Sequence, residues 1–429
     1  MPPRVCLFLV WWLWAWPVHA ATYYVATTGD NARSCATASV IGTPKLTVVN
    51  GITCLSAGDT LLVRAGTYAE AISTVPSGTS WANTVRVANY PGETVWLAPT
   101  TGVGGNDVIW LDGAFQYIEF DGINVDGTVM ATKGQPIWFS TNNSNNPHHI
   151  RFQNAEVIAG AQGGGGAIAL GGHTLIGATG GHEIINVTIH GGGLPGLCGF
   201  ECASYGVYIE GPNMLVENCN IYDTSGAFIQ IYNAAGDPPD NAIIRNNRLH
   251  TLTDMGDATQ VYGIIVSGAD DTQIYNNIIS GIAIGNVGGG NAAIAIGGSS
   301  LRTIVWNNTI ADNRSYGVLI DAGSNNGQVR NTISYANGTN VITDNATGTT
   351  KDHNLDDGTN PLFVNAAGED YRLQSTSPAR DTGATIATVT DDFAGTPRPQ
   401  GLIYDIGAYE FFGGVTPAGN RVRVRSVNP

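Results

Sequence analysis

This 429-residue sequence contains very little lysine and few long helix-forming stretches. It has only three lysines against 57 glycines, and its 34 acidic residues outnumber its 19 lysines and arginines, which leaves a formal net charge of −15. So acidic a chain argues against nucleic acid and anionic membrane as partners. Because glycine, asparagine, threonine, isoleucine and valine recur throughout, the composition indicates an all-β protein with many tight turns.

The sequence also lacks an apolar run long enough to span a bilayer comfortably. The longest run, Val5 to Trp16, follows Arg4 and precedes the small residues of Val18-His-Ala20. This is the layout of a secretory signal peptide, and the run is shorter than the about 20 residues of a transmembrane helix. An uncleaved interfacial anchor is the alternative. We expect cleavage of residues 1–20 and a secreted, extracellular or cell-surface protein without a membrane span.

Cysteine is scarce after residue 20 and shows no metal-binding pattern. Cys35 and Cys54 lie in one short N-terminal segment and are the preferred disulfide pair of an exported protein. Cys198, Cys202 and Cys219 leave one thiol over, and the sequence does not decide which. Zinc is disfavoured because Cys198 and Cys202 lack a second ligand pair at the usual spacing.

An internal repeat organises the middle of the chain. The pattern apolar-x-Asn-x-x-apolar recurs with its asparagine at 154, 186, 218, 246, 276, 307 and 331. A glycine followed by apolar residues, as in Gly206-Val-Tyr-Ile-Glu210, lies between most copies. Each period holds several short strands and no room for an ordinary helix, so the repeat predicts a parallel β-helix whose coils stack about 4.8 Å apart. The asparagines should occupy left-handed corners and bond to one another as an amide ladder.

These patterns resemble the secreted right-handed parallel β-helix proteins of the pectate-lyase-like superfamily. Segment 57–70 resembles the first coil of such proteins, and segment 391–411 resembles their closing segment. The resemblance implies a single-stranded right-handed parallel β-helix (solenoid) with an N-terminal capping helix at 44–55. Its implied divisions are a domain over 21–412, with first coils at 21–115, regular coils at 116–345 and a closing segment at 346–412, and a tail at 413–429.

One candidate sugar-binding surface follows from aligning the glycines of the second motif. The alignment places Tyr208 beside Phe228, and Glu210 beside Gln230, on the outer face of adjacent coils. Aromatic faces cover sugar C–H groups while amides and carboxylates bind the hydroxyls. A loop folded over these aromatic residues is the alternative.

A candidate catalytic column follows from the position after the last strand of each coil. His190, Tyr222 and His250 should stack there on three successive coils, beside a loop that carries Asp254 and Asp257. Histidine and tyrosine can act as base and acid, and nearby carboxylates could bind a metal or tune the imidazoles. We assign catalysis to His190, Tyr222, His250 and Asp254, and substrate binding to Asp257 together with the surface above. A solvated column of polar turn residues is the alternative.

The predicted function is therefore carbohydrate-directed, with a polysaccharide as partner. A lyase needs a base and a neutraliser for the uronate carboxylate, and the outer columns of the glycine-motif strands carry no Lys or Arg, unlike pectate lyases. A glycoside hydrolase needs two carboxyl groups about 5–9.5 Å apart, which Glu210 could form with Asp254 or Asp257. A non-catalytic extracellular glycan-binding or adhesion protein is the alternative. The cofactor stays open, with Ca²⁺ the one considered, and so does the oligomeric state.

Overall fold

Three parallel β-sheets wind around one apolar core. The computed structural model describes residues 20–104, 106–131, 134–139, 147–160, 165–171, 180–192, 204–233, 238–251, 262–282 and 292–413. Within these residues sheet A has 12 strands, sheet B has 10 and sheet C has 9, and a regular coil contributes one strand to each sheet. The prediction of an all-β right-handed parallel β-helix is confirmed.

The strands are short, and helices are few among the described residues. Sheet A contains Thr22–Val25, Thr60–Val63, Val85–Asn89, Gln116–Asp121, His148–Gln153, Glu183–Ile185, Leu215–Glu217, Ile243–Arg245, Gln273–Tyr275, Ile304–Trp306, Gln328–Arg330 and Thr350–Asp352. Sheet B contains Gly66–Tyr68, Val95–Leu97, Ile123–Asp126, Glu156–Ile158, Thr188–His190, Asn220–Tyr222, Arg248–His250, Ile278–Ser280, Thr309–Ala311 and Ile333–Tyr335. Sheet C contains Ile109–Trp110, Ile137–Phe139, Gly165–Leu170, Ser204–Ile209, Ala227–Tyr232, Tyr262–Ser267, Ala292–Gly297, Tyr316–Ile320 and Thr343–Asp344. An antiparallel pair, Phe363–Asn365 and Asp370–Leu373, two α-helices, Cys35–Ala38 and Val48–Ile52, and the 3₁₀-helix Ala366–Gly368 complete the described elements.

The alternation of side chains along each strand explains the core. In sheet A, Val216, Ile244 and Ile274 are in register on successive coils and are fully buried. Because side chains of a strand point alternately to its two faces, the residues on either side of them lie on the outer surface. The same alternation fixes which residues of sheets B and C can reach a ligand.

The paired asparagines of each regular coil have two different positions. Asn276 has a left-handed backbone with φ of 53°, as does its counterpart in every coil that carries the motif, so the predicted corner is confirmed. The predicted amide bonds between corner residues occur in two pairs: Asn186 Nδ2 donates to Asn154 Oδ1 at 3.1 Å, and Asn331 Nδ2 donates to Asn307 Oδ1 at 3.4 Å. The prediction is wrong at Asn276, whose Nδ2 donates to the Asp391 carbonyl at 2.7 Å. A buried ladder runs through the next residue of the coils: Asn247 Nδ2 donates to Asn277 Oδ1, and Asn277 Nδ2 to Asn308 Oδ1, both at 3.0 Å.

The N-terminal segment is joined by the predicted disulfide between Cys35 and Cys54. The short helix Val48–Ile52 lies inside the segment predicted to cap the core, and that capping role remains a prediction. Cys219 is a buried free thiol, while Cys198 and Cys202 lie outside the described residues. In the described part of the chain, no helix is both long and apolar enough to cross a membrane.

The closing segment folds back over the outer face of sheet B. Ile278, Ala311 and Ile333, which face outward from that sheet, pack against Phe363 and Tyr371 of the antiparallel pair. Further along, a fully buried ion pair between Arg398 and Glu410 (2.6 Å) anchors the segment, and Arg398 also donates to Asn276 Oδ1 at 3.2 Å. Sheet B is thus covered at these later coils, and residues 414–429, most of the predicted tail, lie outside the described chain.

Candidate functional site

The predicted column of His190, Tyr222 and His250 exists on the outer face of sheet B. Ile189 pairs with Ile221, which aligns His190 with Tyr222, and Tyr222 pairs with His250, so the three side chains occupy the same position on successive coils. The rings of His190 and Tyr222 are parallel, with centroids 4.8 Å apart and 3° between their planes. The rings of Tyr222 and His250 are 5.5 Å apart and tilted by 45°. Coil stacking therefore places two imidazoles on either side of one phenol.

Glu156 orients the first histidine of the column. It lies one coil before His190 on the same outer face, and the two side chains meet with Nε2 of His190 2.9 Å from Oε1 of Glu156. When Nε2–H donates to this carboxylate, Nδ1 carries the lone pair and can accept a proton. The side chain of His190 is 20% exposed, so it is open to a ligand on this face.

His250 is more deeply buried than His190, with only 7% of its side chain exposed. Its Nε2 lies 3.1 Å from Oδ1 of Asn220, and its Nδ1 lies 3.7 Å from Oε1 of Glu369 without forming a hydrogen bond. Burial lowers the pKa of His250, and the adjacent Arg248 guanidinium lowers it further. The negative charges of Glu369 and Asp223 act in the opposite direction, but the pKa remains below the ordinary histidine value. His250 is consequently neutral at pH 7.

Tyr222 is kept protonated by its surroundings. Burial raises its pKa above the ordinary tyrosine value, and the negative charges of Glu156 and Asp223 raise it further. A phenol that keeps its proton at neutral pH can donate it to a leaving group.

The closing segment supplies a wall at one end of the column. Glu369 follows the 3₁₀-helix Ala366–Gly368 in a left-handed conformation, with φ of 57°, and forms an ion pair with Arg248 of sheet B. Tyr371 of the same segment donates its hydroxyl to Asp312 at 3.3 Å. The column therefore lies at the boundary between the later coils, which the closing segment covers, and the earlier coils, which it does not cover.

The structure places part of the second predicted surface on the outer face of sheet C. Tyr208 and Glu210 are half-buried on the outer face, and their side chains interact. Tyr208 stacks on Tyr205, with ring centroids 5.3 Å apart, and Tyr232 nearby is 40% exposed.

Phe228 is the error in that prediction, because it is fully buried in the core. The inward residues Ile229 and Ile231 pair with Val207 and Ile209, so Tyr208 lies beside Gln230 and not beside Phe228. Aligning the glycines had shifted the register by two residues. Gln230 itself is half-buried beside Tyr208, which keeps it on the candidate surface.

Three residues of the site were missed in the sequence. Arg248 precedes His250 by two residues in one strand, so strand alternation alone could have placed it on the same face. Glu156 is likewise two residues before the column position of its own coil. Glu369 carried no such signal, because it reaches Arg248 from 121 residues away.

Asp254 and Asp257 lie outside the described residues. Among the described ones, no three His, Cys, Asp or Glu side chains form a group that could bind a metal ion. Ca²⁺ prefers six to eight oxygen ligands, whereas Glu156 is bonded to His190 and Glu369 to Arg248. The described residues of the column therefore do not fit a Ca²⁺ site.

Solved structures share this architecture. The crystal structure of pectate lyase Pel9A matches with a TM-score of 0.54 and 14% identity, covering 91% of this chain and 96% of that one. A structure described as a glycoside hydrolase matches with a TM-score of 0.54 and 9% identity, covering 83% of this chain and 99% of that one. At such low identity the similarity defines the fold alone, a right-handed parallel β-helix.

A family model described as "Disaggregatase related" matches residues 213–395. The matched part begins in the regular coils, contains Tyr222, His250 and Glu369, and ends in the closing segment. No curated protein sequence matches the chain.

Proposed function

We propose that this protein is a secreted polysaccharide lyase that cleaves a uronate-containing glycan by β-elimination at the His190–Tyr222 column. The observation that carries the proposal is the parallel stack of a carboxylate-oriented imidazole on a protonated phenol. The pectate lyase similarity supports this choice of reaction, and the Cys35–Cys54 disulfide supports an oxidising, extracytoplasmic location.

The proposed reaction assigns one proton transfer to each ring. Nδ1 of His190 takes the proton from the carbon next to the uronate carboxyl group. The electron pair of that C–H bond forms the C4=C5 double bond, and the bond from C4 to the glycosidic oxygen breaks. The hydroxyl of Tyr222 donates its proton to that leaving oxygen, so atoms and charge balance.

Two further residues support this step without carrying it. Arg248, with a side chain 33% exposed, is the cation of the same face and would reduce the negative charge that builds up beside the uronate carboxyl group. His250, buried and neutral behind Tyr222, is a positioning residue for the phenol.

A panel of polysaccharides tests the proposal. Purified residues 21–429 would be incubated with polyuronates and neutral polysaccharides, with and without Ca²⁺, while unsaturated ends are followed by ultraviolet absorbance and new reducing ends by a chemical assay. The proposal requires unsaturated ends from at least one polyuronate. New reducing ends without unsaturated ends would contradict β-elimination and indicate a glycoside hydrolase.

A second candidate function is glycan binding without turnover. The sheet C surface favours it, because stacked Tyr205 and Tyr208 beside Gln230 and the exposed Tyr232 form an aromatic face with polar neighbours. Retention on an immobilised glycan that is lost in Tyr208→Ala, with no product from any polymer, would favour this function. Retention unchanged by Tyr208→Ala would exclude this face as the binding surface.

A further inference from the structure

A left-handed corner lies at or just before the start of the sheet A strand in successive coils, and two neighbouring coils place ring side chains there. Most coils use a residue that tolerates this backbone at little cost, namely Gly181, Asn213, Asn241, Asp271, Asn326 and Gly348. Tyr117 and His149 occupy the same corner with φ of 50° and 54°. Arg302 also occupies it, with φ of 57°, and its guanidinium forms ion pairs with Asp270 and Asp271. Bulky residues are uncommon in this conformation, so the presence of Tyr117 and His149 points to a task for their rings.

The left-handed corner brings two consecutive histidines together. Neighbouring residues of a regular strand point to opposite faces. Here the turn at His149 breaks the alternation, and Nδ1 of His148 lies 2.7 Å from Nδ1 of His149, with the two rings nearly perpendicular at 85°. Two imidazole nitrogens at this distance either share one proton or direct two lone pairs at one cation.

Aromatic rings hold the pair from one side. Tyr117 stacks on His149 with ring centroids 4.8 Å apart, and the edge of Trp81 meets both Tyr117 at 5.7 Å and His149 at 6.0 Å. The Trp81 ring is itself covered by the Arg151 guanidinium at 4.3 Å. The orientation of His149 is therefore set by packing, which is the preorganisation that a ligand-binding side chain needs.

A third histidine lies next to the pair. His182 is fully buried; its Nδ1 accepts a hydrogen bond from the Ile150 amide at 3.2 Å, and its Nε2 has no partner. Histidine binds divalent metals through a ring nitrogen that carries a lone pair.

We propose that His148 and His149 chelate a divalent transition metal through their two Nδ1 atoms, with Cu²⁺ and Ni²⁺ preferred over Zn²⁺. Metal–nitrogen bonds of about 2.0–2.1 Å to atoms 2.7 Å apart subtend about 80–85° at the metal. That angle suits neighbouring positions of a square-planar or octahedral ion, whereas a tetrahedral Zn²⁺ would need nitrogens about 3.3 Å apart. Water molecules would complete the coordination of the ion beside these two nitrogen ligands.

Calorimetric titration of purified residues 21–429 with Cu²⁺, Ni²⁺ and Zn²⁺ at pH 7 tests this site. We expect saturable binding of one ion, with Cu²⁺ tightest, and a rise in Tm when Cu²⁺ is present. His148→Gln and His149→Asn should each abolish that binding. His353→Ala is the matched control, because His353 is exposed on another coil and should leave binding unchanged.

His149→Asn keeps the test independent of folding. Asparagine occupies this corner in three other coils, so the variant should fold and, without metal, melt at or above the temperature of the wild type. Loss of the Cu²⁺ effect in such a folded variant supports the site. Cu²⁺ binding that survives in either variant, a preference for Zn²⁺, or no binding by the wild type would overturn it.

Discussion

His190 and Tyr222 lie on consecutive coils with their rings parallel and 4.8 Å apart, which is the spacing of the coils themselves. The backbone of the solenoid, not a flexible loop, therefore fixes the distance between the proposed base and the proposed acid. Glu156 fixes the orientation of His190 from the coil before, and His250 supports Tyr222 from the coil after. Four consecutive coils thus hold the proposed base and acid together with the residues that orient them.

The Glu369 carboxylate should raise the pKa of His250. Its negative charge acts on the imidazole at 3.7 Å, opposing the effects of burial and Arg248. In Glu369→Gln the His250 pKa should fall further, and NMR titration of the imidazole would measure this. Asp370→Asn is the control, since Asp370 pairs with Arg372, and it should leave His250 unchanged. A His250 pKa that stays constant or rises in Glu369→Gln would show that the carboxylate does not act on it.

Asn277 should contribute more to stability than a corner asparagine. Its replacement by alanine strands the buried amide partners of Asn247 and Asn308, at a cost of about 1–3 kcal/mol in the free energy of unfolding. Asn154→Gly, at an exposed corner where glycine tolerates the backbone, should cost less than about 1 kcal/mol. Urea denaturation compares the two. Equal losses would contradict the assignment of the ladder to the second asparagine.

His182 should make the fold sensitive to acid. Burial lowers the pKa of His182 to about 3. An unfolded histidine has a pKa of about 6.5, so between these two pH values only the unfolded state binds the proton. Stability is therefore intact above about pH 6.5 and falls as the pH drops below it. Relative to His182→Gln, the wild type should lose about 2 kcal/mol of unfolding free energy between pH 7 and pH 5. A difference that does not change with pH would contradict the neutral buried imidazole.

Strand alternation and the repeat period predict the part of the site that depends on the stacking of coils. The His190–Tyr222–His250 column follows from counting to one position in each coil, and the structure brings these rings together. The same counting fails at Phe228, because glycine positions do not mark the register where turns differ in length. The inward isoleucines of that strand were the better guide to its register.

Contacts made by the closing segment lie beyond local patterns. Glu369 reaches Arg248, and Asp391 and Arg398 bind Asn276, only after the chain has wound through several further coils. No period relates these residues, since the segment is not part of the repeat. For the same reason the ladder was assigned to Asn276, whose buried amide is in fact bound by that segment, and not to Asn277.

The Tyr222→Phe variant separates the proton of the phenol from the packing of its ring. It keeps the ring stack and removes only the hydroxyl, so we expect an unchanged Tm and a rate of unsaturated-end formation on the best polyuronate that is lower by about 10²–10⁴-fold. Tyr335→Phe, at the same column position of a coil covered by the closing segment, should keep the wild-type rate. A Tyr222→Phe protein that forms unsaturated ends as fast as the wild type would contradict the proposed mechanism.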